Sequence, residues 1–397
     1  MDLSRLSHMK FTTWMNTIVI LLCLLFDCLA GVSAGDLERR QAKRMHDRLT
    51  GVPPGAQTLD TMEADIVAGN SMGAALLAMD NSAFYNVTLK NYATPWTNRD
   101  QDVFAPLNDY TATVIGMIRD EVPFNRLLSA DLVYVGDDSL GLPAYSMSNN
   151  DHYAALEAQG IDLKAALRPA LQSVITTLPA SATAGIITTR AAAEAFFIAG
   201  TNRAMFRFTL LNHLCNDMEQ LKDITRSPDR IRQDVSRSPG GDSRIFLNAC
   251  IGCHSGMDPM AQAFAYYNFD AGSASLQYTP GVVQPKYLIN ADNFKYGYVT
   301  PDDHWDNYWR SGPNSQLGWD PGLPGSGSGA KSLGEELAGT RAFAACQVKK
   351  AFKTVCLRVP GNAADRGQVD TMIDDFIASN YNMKTVFAEA AVYCMAD

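Results

Sequence analysis

Beyond its first 34 residues the chain has no apolar run long enough to cross a bilayer, so no later segment reads as a membrane span. It also lacks an HExxH pair, a glycine-rich phosphate loop and a G-x-S-x-G elbow, which leaves the zinc-protease, nucleotide-binding and α/β-hydrolase classes without a motif. Positive charge is in short supply. The chain carries 33 Lys and Arg against 42 Asp and Glu, a net charge of −9 that repels nucleic acid and favours basic partners. Strand signals are few: "ADLVYVG" is the best of them, and one short strand does not make a sheet. There is no internal repeat and no heptad array. With 47% hydrophobic residues, nothing in the composition marks disorder.

What is present begins at the N-terminus. Arg5 and Lys10 precede the apolar "TIVILLCLLFDCLA", which ends in the small residues "GVSA" before the charged "GDLERR". That order of charged, apolar and small residues reads as a secretory signal peptide over residues 1–34. An uncleaved anchor is the competing reading, but the run falls short of the ~20 residues a span needs and Asp27 interrupts it. A lipoprotein anchor at Cys28 meets an acid, Asp27, where a small residue is expected. Cleavage removes Asp2, Asp27, Arg5 and Lys10, two acids and two bases, so the net charge stays at −9. The remaining 363 residues (397 less 34) suffice for two or three domains, expected in the periplasm or outside the cell.

Helical periodicity dominates this mature chain. "TLDTMEADIVAG" puts Leu59, Met62 and Ile66 on one face and stops at Gly69, and "SMGAALLAM" carries Ala75, Leu76 and Met79 on another. "NDYTATVIGMIRDEVPFNRLL" aligns Tyr110, Val114 and Ile118, with Leu127 after Pro123. "IDLKAALRPALQSVITTLP" sets Leu163, Leu167, Leu171 and Ile175 at helical spacing, with Pro169 tolerated as a kink or a fresh start. "GTNRAMFRFTLLNHLCND" is a further helix with Met205, Phe208, Leu211 and Cys215 along one side. Residues 271–334 are rich in Gly, Pro, Asn, Asp and aromatics and read as a long loop. Three closing helices, "LGEELAGTRAFAACQVKKAFKTVC", "DRGQVDTMIDDFIASN" and "NMKTVFAEAAVYC", are expected to pack as a unit. The fold class is therefore mainly α.

The chemistry is concentrated in "NACIGCHSGMDP", where Cys250, Cys253 and His254 form C-x-x-C-H. Two thiols two residues apart span the vinyl separation of a porphyrin, and a histidine directly after them enters a helix facing the iron. Helical continuation through "MDPMAQAFAYYNFD" suits that geometry. A zinc site would need a second ligand pair, and the nearest candidates, His213 and Cys215, are isolated. A thioredoxin-like dithiol needs a βαβ context, whereas the local signals are helical.

"ACIGCHSGMDPMAQAFAYYNFD" resembles the motif of an uncharacterised family of secreted cytochrome-c-like domains common in planctomycetes, a bacterial group. Cys250, Cys253 and His254 stand at that family's haem-attaching positions, and Asp258, Pro259, Phe269 and Asp270 match the tail of its motif. "GTNRAMFRFTLLNHLC" resembles the helix preceding the haem domain, and "FAACQVKKAFKTVCLRVPGNAADRGQVDTMIDDFIASNYNMKTVF" the C-terminal helical module. The resemblance spans roughly residues 185–395. The chain departs from it by extra cysteines and a long aromatic insert, and the family brings no settled activity. It implies one covalent haem c per chain, with His254 on the iron. The expected organisation is a signal peptide (1–34), a helical N-terminal domain (35–230), a cytochrome-c-like haem-binding domain (231–334) and a C-terminal helical module (335–397).

A single haem in an exported, acidic chain most economically means one-electron transfer to a redox partner with a basic docking patch. The alternatives are a periplasmic haem enzyme, for which Asp302, Asp303 and Arg310 are distal candidates against a plainer reading as solvated loop charges, and a surface interaction protein. For the last, Tyr85, Tyr92 and Trp96 offer a contact surface or, more plainly, core anchors. The sixth iron ligand is open among His304, Met383 and no ligand; Met257, one turn after His254, falls on the proximal side. Cys215, Cys346, Cys356 and Cys394 permit three disulfide pairings. If the last three helices alternate in direction, Cys356 meets Cys394, while Cys346, about 15 Å back along the first of them, is left for Cys215.

Overall fold

The computed structural model describes residues 34–198, 200–230, 244, 246–287 and 298–396. The expected signal segment lies outside them save for Ala34. The fold is mainly α-helical. Helices α1 (Ala34–Thr50), α2 (Ala56–Val67) and α3 (Ser71–Met79) pack against one another. The Asn70 side chain starts α3 by accepting a hydrogen bond from the Gly73 amide at 3.2 Å. Met62, Ile66, Ala75 and Met79 are buried as their spacing predicts, but Leu76 is 46% exposed and Ala74 and Ala78 take the inner face. The inner face of α3 carries mostly alanine because it lies between two helices, where close approach excludes a larger side chain.

Helix α4 (Asp109–Arg119) is capped by Asn108, which accepts from the Thr111 amide, and is buried from Asp109 to Ile118. It packs against β1 (Val133–Gly136), the strand expected in "ADLVYVG". The partner strand corrects the expectation of one helix over "IDLKAALRPALQSVITTLP". Residues Leu167–Ala170 form β2, antiparallel to β1 with Tyr134 opposite Pro169, between single helical turns at Leu163–Ala166 and Gln172–Ile175. The reason lies in Pro169, which donates no hydrogen bond and drives the residue before it out of helical geometry. Leu171 is accordingly 53% exposed.

Tyr85, Tyr92 and Trp96 are buried, so they anchor the core and form no contact surface. Helix α5 (Arg190–Phe196) leads to α6 (Arg203–Thr209), whose end widens into a π-helical turn, Leu210–Leu214. The motif lies on α7 (Ile251–Ala261), and beyond that helix "YYNFD" does not stay helical. Tyr267–Asp270 is β3, paired with β4 (Ser275–Tyr278). Within the expected loop, β5 (His304–Asp306) pairs with β6 (Ser326–Ser328), and both Trp305 and Trp309 are fully buried. Composition marks the segment as a loop; its tryptophans join it to the main core, where Trp309 meets Phe206 and Gly256.

The C-terminal stretch carries α8 (Gly329–Ala338) and α9 (Arg341–Cys356), separated where Thr340 caps α9 through the Phe343 amide, then α10 (Ala363–Ala378) and α11 (Met383–Cys394). Helices α9, α10 and α11 pack together, and α11 also lies on α1 and α3, so one hydrophobic core runs from Ala42 to Cys394. No described helix is long and apolar enough to cross a membrane.

Both expected disulfides form, Cys215–Cys346 with Cα atoms 5.2 Å apart and Cys356–Cys394 at 5.5 Å. They close sequence separations of 131 and 38 residues. The loop-entropy relation then assigns about 5 kcal/mol to the first and about 4 kcal/mol to the second. Cys346→Ala is expected to lose about 1 kcal/mol more than Cys356→Ala in chemical denaturation. Non-reducing peptide maps should yield Cys215–Cys346 and Cys356–Cys394 peptides and no Cys346–Cys356 peptide.

Glu389, on α11, has a buried Oε2 without a hydrogen-bond partner among the described residues, and burial aided by Asp375 pushes its carboxyl up to about 7. A folded-state value above the unfolded one penalises the native state once the unfolded carboxyl ionises near pH 4.5, and fully above about pH 7. Glu389→Gln should therefore raise the melting temperature at about pH 8, with the gain shrinking to nothing as the pH falls toward 4.5.

Candidate functional site

The C-x-x-C-H motif enters α7 through a π-helical turn at Phe246–Cys250. Cys250 therefore stands at the junction, with Cys253 and His254 in the first turn of α7, as the spacing predicts. Both thiols are unbridged and partly exposed, while the other four described cysteines are paired. The Cys253 thiol donates to the Met218 carbonyl at 3.6 Å, and burial, reinforced by Glu219, raises its pKa. A reactive dithiol needs a depressed thiol pKa, so this environment argues against thioredoxin-like chemistry. Among the described residues no three His, Cys, Asp or Glu side chains are grouped to hold a metal ion.

The imidazole is oriented from behind. His254 Nδ1 lies 3.0 Å from Asp258 Oδ2, one helical turn on, and the Asp258 side chain has no solvent exposure. Arg203 on α6 holds the other carboxylate oxygen, Nε to Oδ1, at 3.1 Å. A carboxylate at Nδ1 retains the proton there and makes Nε2 the metal-binding nitrogen. The donor chemistry thus fits a haem iron ligated through His254 Nε2.

Two features hold α7 in place. On one side the segment from Leu221 to Arg226 straps it: the Asp223 amide donates to the Gly252 carbonyl at 2.9 Å, and Ser255 Oγ donates to the Asp223 carbonyl at 2.8 Å. On another the Trp309 indole lies against Gly256, so close that a Cβ there would stand 1.9 Å from Nε1. Near the motif two large apolar side chains face outward. Ile224 is 77% exposed and lies beside Gly252, and Leu247, one turn before Cys250, is 58% exposed. Exposed apolar groups of this kind mark a surface that a ligand or a partner could cover.

The remaining candidates differ in their surroundings. Strand β5 packs on α7, but hydrogen bonds through Asp302 put its start beside Gln262, eight residues past His254; the His304 ring is half-exposed, with Nε2 3.6 Å from Asp306 Oδ2. Met383 opens α11 and is 2% exposed, in a helix that packs chiefly on α9, α3, α1 and α10 and not on α7, so it reads as a core methionine. Met257 is buried in α7 itself. Arg310 is no solvated loop charge: its Nε and Nη2 grip the buried Glu336 carboxylate at 2.8 and 2.7 Å. Asp302 accepts from the His304 amide and from Gln262, and Asp303 is half-buried with its pKa raised by burial. His213 is buried 2.7 Å from the Tyr110 hydroxyl, apart from the motif.

A cleft of about 620 Å³ opens elsewhere between Asn98, Asn108, Asn150, Arg190 and Glu194. Its polar groups are already engaged: Asn108 caps α4, Asn150 donates to the Leu107 carbonyl, and Arg190 pairs with Glu194. The motif region therefore remains the candidate site.

Sequence reasoning reached the three motif residues but not Arg203, which is far from them along the chain and carries no local signal. Asp258 is part of the motif's tail, and its pairing with His254 follows from an acid four residues after a histidine sharing its helical face. No protein-family model, no curated protein and no solved structure matches the chain. Because Gly256 leaves no room for a side chain beneath Trp309, Gly256→Ala should cost about 1–3 kcal/mol. In equilibrium denaturation the double variant with Trp309→Phe is expected to lose less than the sum of the two single changes.

Proposed function

We propose that the chain is an exported mono-haem cytochrome of c type, related to the planctomycete cytochrome-c-like domains, which passes single electrons to and from a partner protein. One arrangement carries this reading: two unbridged thiols and an imidazole at C-x-x-C-H spacing on one helix, with the imidazole Nδ1 held by a buried carboxylate. The Cys250 and Cys253 sulfurs would each form a thioether to a vinyl carbon, the thiol hydrogen passing to the neighbouring carbon. His254 would supply the axial nitrogen. Bound there, the haem supplies one-electron chemistry; the protein supplies ligand, burial and docking surface. The paired cysteines agree with an oxidising compartment, and the acidic composition with a basic docking patch on the redox partner.

A haem enzyme is the second reading. It is favoured by the Asp258 carboxylate, because raising the basicity of an iron ligand suits an open site that activates peroxide.

The test is haem-peroxidase staining of a denaturing gel, using protein from cells with a working c-type maturation system. A stained band that weakens in Cys250→Ala and Cys253→Ala, with an altered spectrum in His254→Ala, is the expected outcome; an unstained wild-type band overturns the reading. Rapid reaction of the reduced protein with carbon monoxide or peroxide would place it among the enzymes, and a low-spin spectrum lost in His304→Ala would assign the sixth ligand.

A further inference from the structure

Resting on the haem reading, we propose that Asp258 and Arg203 are positioning residues that act through His254 to set the reduction potential of the iron, with opposite signs. Asp258 lowers it and Arg203 raises it.

Aspartate is a poor helix former, and a negative charge in the second half of a helix faces the unfavourable end of the helix dipole. Asp258 occupies such a position in α7, beside Pro259, with its side chain wholly withdrawn from solvent. Burying a carboxylate is costly unless it is paired and hydrogen-bonded. Helix propensity and desolvation both oppose this residue, so neither accounts for its place in α7.

Its contacts do. One oxygen receives the His254 Nδ1 hydrogen at 3.0 Å, and the other receives Arg203 Nε at 3.1 Å. A hydrogen bond from Nδ1 to an anion shifts electron density through the ring to Nε2 and makes it the stronger donor. A stronger donor, with a negative charge behind it, favours the ferric over the ferrous iron, which is a lower potential. The effect is little screened, because the carboxylate has no exposure and the ring is 17% exposed. Arg203, 24% exposed, draws on the same carboxylate from the other side. Its charge competes with the imidazole for the anion, so removing it strengthens the carboxylate's hold on Nδ1–H and lowers the potential further.

The experiment compares the full chain with Asp258→Asn, Arg203→Gln and Arg203→Lys. Each is first stained for covalent haem, and the ferric/ferrous midpoint is then measured by spectroelectrochemistry at one pH and ionic strength. Asp258→Asn keeps the shape and an acceptor oxygen but removes the charge. It should reduce the ferric preference at least tenfold, a rise of about 59 mV for a one-electron couple. Arg203→Gln should move the midpoint the other way, with Arg203→Lys near wild type. If Asp258→Asn fails to retain haem, the two Arg203 variants decide the sign. Haem-loaded variants with unchanged midpoints, or with midpoints that all move in one direction, overturn this inference and leave the haem reading standing. Absence of covalent haem from the wild type overturns both.

Discussion

A carboxylate without solvent exposure must be paired, and the pairing of Asp258 organises the centre of this molecule. Its cation, Arg203, belongs to α6, so the requirement for charge compensation fixes α6 against α7. Helix α6 continues through the π-helical turn into Cys215, where the chain turns left-handed at φ 54° and is bridged to Cys346 on α9. From α9 the second bridge, Cys356–Cys394, reaches the end of α11. A continuous series of ionic and covalent links therefore runs from the histidine of the motif to the closing helix, and a displacement of α7 would be felt along it.

The remaining faces of α7 are held by contacts of other kinds. Backbone and hydroxyl hydrogen bonds from the Leu221–Arg226 strap fix the first turn, where an added side chain at Gly252 would already touch Lys222 and Ile224. The Trp309 indole fixes the middle, and it can do so only because position 256 has no Cβ. These contacts leave the helix little freedom to rotate. Rigidity of that sort is what an electron-transfer site requires, since any change of ligand geometry between oxidation states adds to the barrier for electron exchange.

Much of this is legible in the sequence, for reasons that differ from element to element. Most helices of the first half and of the C-terminal unit declare themselves by periodicity because they bury one face, while α4, buried all round, is marked by its length and its Asn108 cap. The disulfides come from counting residues along helices that alternate in direction, which needs only the rise per residue. The motif is legible because three chemically reactive side chains within five residues stand out in any fold. What is not legible depends on partners far away in sequence. The strand at Pro169 exists because β1 offers it an edge, and the leucine spacing around it is helical only by coincidence. The tryptophans of the expected loop give no hint that they are buried, since composition cannot tell an aromatic loop in solvent from one packed into the core. Arg203 needs the fold before it can meet Asp258 at all.

The apolar side chains left outward near the motif bear on how the site would work. Burying an exposed Ile or Leu is worth roughly 1.5–3 kcal/mol, so leaving Ile224 and Leu247 in water costs stability that the α7 region recovers only when something covers them. Under the proposed haem reading, a porphyrin joined to Cys250 and Cys253 would stand beside that surface, whose charged surround includes Glu219 and Lys222. With the apolar surface so covered, a partner would meet a partly exposed haem edge set in a mixed but net-acidic surface. Attraction would then act at long range through net charge and recognition at short range through the edge, which is the division of labour that fast, reversible electron transfer needs.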